Sequence, residues 1–136
     1  MSESSPSPAS PHSPVFLKVL ETMLAIWNER DVERIRGRIE EVFSPDVIFI
    51  DPANSIVGHD AFEVMVRDFR ARLPQAVCSH SSGLDEHHGL VRYHWEIHQG
   101  SDLLISGFDV TQIGADQKVL RVEGFFGAIP EMIPET

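Results

Sequence analysis

Apolar residues recur every three or four positions in the first half of the chain and every second position in the last third. Behind Ser13-Pro14, whose types suit an N-cap and a first helical position, Phe16, Leu20, Met23, Leu24 and Trp27 keep helical spacing and predict a helix over roughly 14–29. Asp31 can cap a second helix with Val32, Ile35, Ile39, Val42 and Phe43 as its inward stripe, ended by Ser44-Pro45. Val47–Ile50 is a short β-branched and aromatic run, bounded by Pro45 and by Asp51-Pro52, and reads as a strand; a turn follows from Asn54 to Gly58. Phe62, Met65, Val66, Phe69 and Leu73 then predict a third helix over roughly 59–73, closed by Pro74.

From Gln75 the period is two, with strands expected near 76–83, 90–98, 103–113 and 117–126. Helices first and strands last argue for an α+β domain in which helices pack on one face of a curved antiparallel sheet. Residues 1–14 hold four prolines and six serines, so they are expected to form a disordered tail. One domain over 15–130 and a short C-terminal tail over 131–136 complete the expected organisation.

Composition narrows the function classes. A formal charge of −10 on 136 residues, with no Lys/Arg cluster to offset it, gives little support to nucleic-acid or anionic-membrane partners. The longest apolar run, Met23–Trp27, is far shorter than the roughly 20 residues that span a bilayer. Cys78 is the only cysteine, which excludes an internal disulfide, and the N-terminus has no basic region followed by an apolar stretch. A cytoplasmic protein is the expectation.

Several segments, taken in order, resemble one family. They are Trp27-Asn28-Glu29-Arg30-Asp31, the run from Phe43 to Pro52, Gly58-His59-Asp60-Ala61-Phe62, Gly107-Phe108-Asp109-Val110 and the run from Val119 to Phe126. Over about Val15 to Ala128 the chain resembles the nuclear transport factor two-like superfamily, and within it the SnoaL-like and ketosteroid-isomerase-like proteins. The resemblance implies a cone-shaped, cystatin-like fold: three N-terminal helices close over a curved antiparallel sheet and enclose an apolar pocket, and the outer sheet face commonly serves a homodimer. It also implies small-molecule chemistry of varied kinds, so the reaction has to be argued from the site.

Asp109 shares a strand face with Leu103, Ile105, Gly107, Thr111 and Ile113, so one carboxyl group stands among apolar neighbours and its pKa is expected to rise. The resemblance matches Asp109 to an aspartate that stays protonated and donates a hydrogen bond to an oxyanion. It matches Asp51, at a strand end before Pro52, to the general base; the alternative is a plain turn-opening Asp, as it is an Arg92-paired structural Asp for Asp109. The family's tyrosine on the first helix is Met23 here, which has no O–H to donate.

A two-residue turn at Gly100-Ser101 would put His94 opposite Gly107 and carry Arg92, His94 and Glu96 onto the Asp109 face. A slip of one residue would bring Tyr93, Trp95 and Ile97 there instead. His94 is thus a candidate acid, base or donor beside Asp51 and Asp109. Met23, Trp27, Phe49, Phe62 and Phe126 are candidate substrate-lining residues, with Phe125 as a further aromatic, although aromatics at such spacings are more often plain core.

His80, His87, His88, His94 and His98 lack a closely spaced ligand set, so no metal and no cofactor is expected; His87-His88 reads as a hairpin tip. The last strand carries Gly124 where an epoxide-hydrolase-like relative would place a carboxylate. Two functions remain: an isomerase, cyclase or dehydratase acting beside a carbonyl in a small apolar or polycyclic ligand, or a non-catalytic module that binds such a ligand or dimerises.

Overall fold

The computed structural model describes residues 14–134. The proline- and serine-rich segment expected to be disordered therefore lies, apart from Pro14, outside the described residues. Helix α1 (Pro14–Trp27) buries Val19, Leu20, Met23 and Ile26; of the expected stripe, Phe16, Leu24 and Trp27 are only partly buried, so the inward face is turned toward Val19 and Ile26. It stops two residues short of its expected end, because Asn28 turns away to meet a strand edge. The Asn28 side chain donates to the Cys78 carbonyl and accepts from the Cys78 N–H, both at 2.8 Å.

Helix α2 (Val32–Val42) starts at Asp31, whose Oδ1 accepts the Glu33 N–H at 3.0 Å, and buries Ile35, Ile39 and Val42. It passes without a loop into β1 (Phe43–Asp51). Val32, expected in the inward stripe, is exposed at the first turn.

The segment from Asn54, read from sequence as a turn, is instead a second strand, β2 (Asn54–Val57), in a hairpin with β1 through Pro52-Ala53. Helix α3 (His59–Arg72) buries Phe62, Met65 and Val66, and with them Arg70. The Arg70 guanidinium donates to the carbonyls of Trp27, Pro74 and Ala76 at 2.8–3.1 Å, tying the end of α1 to the loop behind α3.

The last third gives β3 (Val77–His80), β4 (Asp85–His87), β5 (Leu90–Gln99), β6 (Asp102–Ile113) and β7 (Val119–Phe126). The single strand expected over 76–83 is shorter than predicted, and β4 follows it; both pair with the same edge of β5 at different heights. His88 and Gly89, both at positive φ, form the tight turn between β4 and β5.

The sheet order is β2-β1-β7-β6-β5-β3. It is mixed, not purely antiparallel: β1 runs parallel to β7. Hairpin neighbours are forced to be antiparallel, whereas β1 and β7 are joined through most of the chain and carry no such constraint. Pro45, which has no N–H to give, lies where the β1–β7 register is broken.

The three helices pack on one face of this sheet. Their core joins Ile26, Ile35, Ile39, Phe43, Val47, Phe62 and Val66 to Val91, Val119 and Val122. Among the described residues no helix is long and apolar enough to cross a membrane.

Candidate functional site

The register of β5 against β6 decides what faces the helices. The turn at Gly100-Ser101 has two residues, since Gln99 pairs with Asp102 and His98 with Leu103. Beyond it Ile97 pairs with Ile105, so Leu104 is an extra residue, and the bulge moves every later pair by one. Tyr93 therefore lies opposite Asp109 and Trp95 opposite Gly107.

This corrects the expectation for His94. With Arg92 it lies on the outer face, where its ring packs against Phe108 at 5.2 Å. Arg92 pairs with Asp85 at 2.8 Å and not with Asp109.

Asp109 stands on the inner face as expected. Its Oδ1 accepts the Trp95 Nε1–H at 2.8 Å, and its Oδ2 lies 3.3 Å from the Tyr93 hydroxyl. The buried Thr111 Oγ1 is 2.8 Å from the same hydroxyl, so a Thr111 O–H donated to Tyr93 leaves the Tyr93 proton for Asp109. Two glycines make this packing possible. A Cβ on Gly107 would come within 2.1 Å of the Trp95 indole, and one on Gly124 within 2.7 Å of Asp109 Oδ1.

The same position on Gly124 would be 3.3 Å from the Asp51 Cβ, so the two acids flank one backbone site on β7. Asp51 closes an Asx turn: its Oδ1 accepts the Ala53 N–H at 2.8 Å and the Asn54 side-chain N–H at 3.1 Å. Among the described residues both bonds fall on Oδ1.

Burial raises the Asp109 pKa from 3.8 to about 6; Trp95 and Tyr93 oppose the rise, and the charge of Asp51 adds to it. Burial and the neighbouring Asp109 push the Tyr93 hydroxyl well above its usual range, so it stays a proton donor. His80, on β3, rests its ring against Tyr93 at 5.1 Å, and burial pulls its pKa down.

These groups line one wall of a cavity of about 400 Å³ roofed by Met23, Leu24 and Trp27 of α1 and by Met65 and Phe69 of α3. Of the expected lining residues Met23, Trp27, Phe49 and Phe126 border it. Phe62 does not. It is fully buried one layer deeper, 4.2 Å from the Phe43 ring, where it supports Trp27 and Phe49. Phe125, one residue from Phe126 and therefore on the opposite sheet face, is 61% exposed.

Tyr93 and Trp95 were visible in sequence only as the alternative register, and His80 only as a member of a histidine set. The signal that could have selected them is Gly107, since a strand glycine marks a place where a large neighbour lies close. No group of three His, Cys, Asp or Glu side chains among the described residues is placed to hold a metal ion.

Comparison with known proteins agrees with this architecture. A crystal structure of a candidate isomerase of the SnoaL-like family from Agrobacterium tumefaciens superposes with a TM-score of 0.78 at 24% identity, covering 84% of this chain and 98% of that one. A candidate SnoaL-like polyketide cyclase from Jannaschia gives 0.63 at 16%, covering 84% and 88%. A protein of unknown function with a cystatin-like fold from Methylobium petroleophilum gives 0.69 at 14%, covering 92% and 82%.

At such identities the likeness is one of fold, an α+β cone of three helices on a curved, unclosed sheet. No curated protein sequence matches the chain. The profile of the SnoaL-like domain, however, matches residues 20–122, most of the chain, and on that match the chain belongs to the SnoaL-like family.

Proposed function

We propose that the protein is a small-molecule isomerase, cyclase or dehydratase that moves a proton at a carbon next to a carbonyl, with Asp109 as the proton carrier. The observation that carries this reading is one largely buried carboxyl group on the wall of an apolar cavity, held from both sides by Trp95 and Tyr93, with burial pushing its pKa up to about 6. A base with a pKa just below neutral is ionised in the cell and still takes up a proton readily.

In this reading the Asp109 carboxylate removes a proton from the carbon, and the C–H electron pair moves to the carbonyl oxygen as an enolate. Return of the proton to another carbon isomerises the ligand; its transfer to a β-hydroxyl, which leaves as water, dehydrates it; attack of the enolate carbon on a second carbonyl, whose oxygen takes the proton, closes a ring. The base is thus Asp109, expected from sequence as the donor, and not Asp51. Both Asp109 oxygens accept hydrogen bonds, which suits a base better than a protonated donor, and Asp51 raises the proton affinity of its neighbour.

Deuterium uptake tests the chemistry without knowledge of the natural substrate. Wild-type protein is expected to accelerate exchange at the α-carbons of 2-tetralone or 2-cyclohexenone in deuterium oxide. Asp109→Asn should remove about a hundredfold of that acceleration. His94→Ala, on the outer face, should leave it intact. Equal exchange with wild type and Asp109→Asn would assign the cavity to binding alone.

The reading extends to assembly. The outer sheet face is assigned to a second copy of the chain, because Phe125 and Phe108 pair there across β7 and β6 with Phe125 left open to solvent.

A further inference from the structure

Proton removal beside a carbonyl puts negative charge on an oxygen away from Asp109, and an apolar cavity stabilises that charge only through a hydrogen-bond donor aimed at it. Most donors on the cavity wall are already engaged. The Trp95 N–H and the Tyr93 O–H serve Asp109, Asn54 serves Asp51, and Arg72 is paired with Asp68 at 2.7 Å at an exposed position. The Cys78 thiol, pushed up to about 11 by burial, is at best a weak donor. Overhead, Met23 and Leu24 have none to offer, and Trp27, whose indole N–H has no partner among the described residues, packs against Phe49, Phe62 and Phe69 and not against the Tyr93–Asp109 wall.

His80 is different. It borders the cavity, its ring is fixed edge-on against Tyr93, and among the described residues no hydrogen bond occupies either ring nitrogen. Burial outweighs the pull of Glu21 on α1 and keeps the imidazole neutral, with one N–H to donate. The Tyr93 side chain, touching His80 with its ring and Asp109 with its hydroxyl, holds the two groups apart along the same wall.

We propose that His80 is the donor that receives the carbonyl oxygen of the ligand, so that an uncharged apolar ketone or enone lies with its acidic carbon at Asp109 and its oxygen at His80. This inference rests on the acid–base reading above and adds the orientation of the ligand.

2-Naphthol tests it, because its naphtholate form is a stable mimic of an enolate carried on apolar rings. Titration of the full chain, followed by naphthol fluorescence, should give saturable binding. His80→Phe, which keeps a ring against Tyr93 but has no N–H, should weaken it about tenfold or more. His80→Gln, which keeps an N–H, should retain most of the affinity. If His80→Phe does not fold, the wild-type protein decides: the His80 ring N–H resonance should move when 2-naphthol is added.

Binding that ignores His80→Phe, an unmoved His80 resonance under saturating naphthol, or no saturable binding by wild type would each overturn the proposal. Loss of this proposal and of the acid–base reading are separable. Naphthol binding that ignores His80 beside exchange that requires Asp109 removes only the donor, whereas the reverse pattern removes only the base.

Discussion

A carboxyl group held by two donors and still raised in pKa shows which force wins at Asp109. Trp95 and Tyr93 favour the charged form, yet loss of water and the charge of Asp51 outweigh them. Between 3.8 and about 6 the folded protein keeps a proton that the unfolded chain has released. Stability therefore falls as pH rises through that window and levels off above it.

Asp109→Asn removes this slope. In urea unfolding, the stability of wild type relative to the variant should drop by about 2–3 kcal/mol from about pH 4 to about pH 7. Parallel curves would show that Asp109 is better solvated than its surroundings suggest. Alternation on β6 put Asp109 on the inner face; its hydrogen-bond partners come from a neighbouring strand and could not be read from its own.

Within elements, local rules set most boundaries. Asp31 begins α2, and the periods of α2 and α3 select most of their buried residues. Arg70 is the departure, a cation on the apolar stripe of α3 whose three carbonyl partners lie in other segments. No periodicity predicts it, because its burial depends on loops brought near by folding. Arg70→Met fills much of the same space but strands those carbonyls, and should cost about 3 kcal/mol in thermal or denaturant unfolding. A loss under about 0.5 kcal/mol, the range of ordinary surface changes, would mean that the carbonyls find other partners.

For the whole molecule, the one-residue offset between the two sheet faces decides which side chains meet the cavity and which meet solvent. Tyr93, Trp95, Asp109 and Phe126 go inward; His94, Phe108 and Phe125 go outward. If the outer face seats a second copy, Phe125→Glu should convert a dimer into a monomer in light scattering at micromolar concentration. With a formal charge of −10 on each chain, the dimer should tighten as salt is added. A wild-type monomer mass under those conditions would remove the assembly proposal.

Read alone, the sequence determined the three helices, the strand-rich last third, the resemblance to a family, and the inward face of β6 with its acid. Each follows from spacing within a few residues, where backbone period and capping chemistry act. The partners of that acid were decided only by the tertiary structure. One extra residue at Leu104 reverses which side of β5 meets Asp109, so Tyr93 and Trp95 enter and His94 leaves. The parallel pairing of β1 with β7 and the glycine-lined seat of the two carboxyl groups are likewise contacts between strands distant in sequence. A bulge needs no distinctive residue, and in a structure of period two a shift of one position exchanges the faces completely.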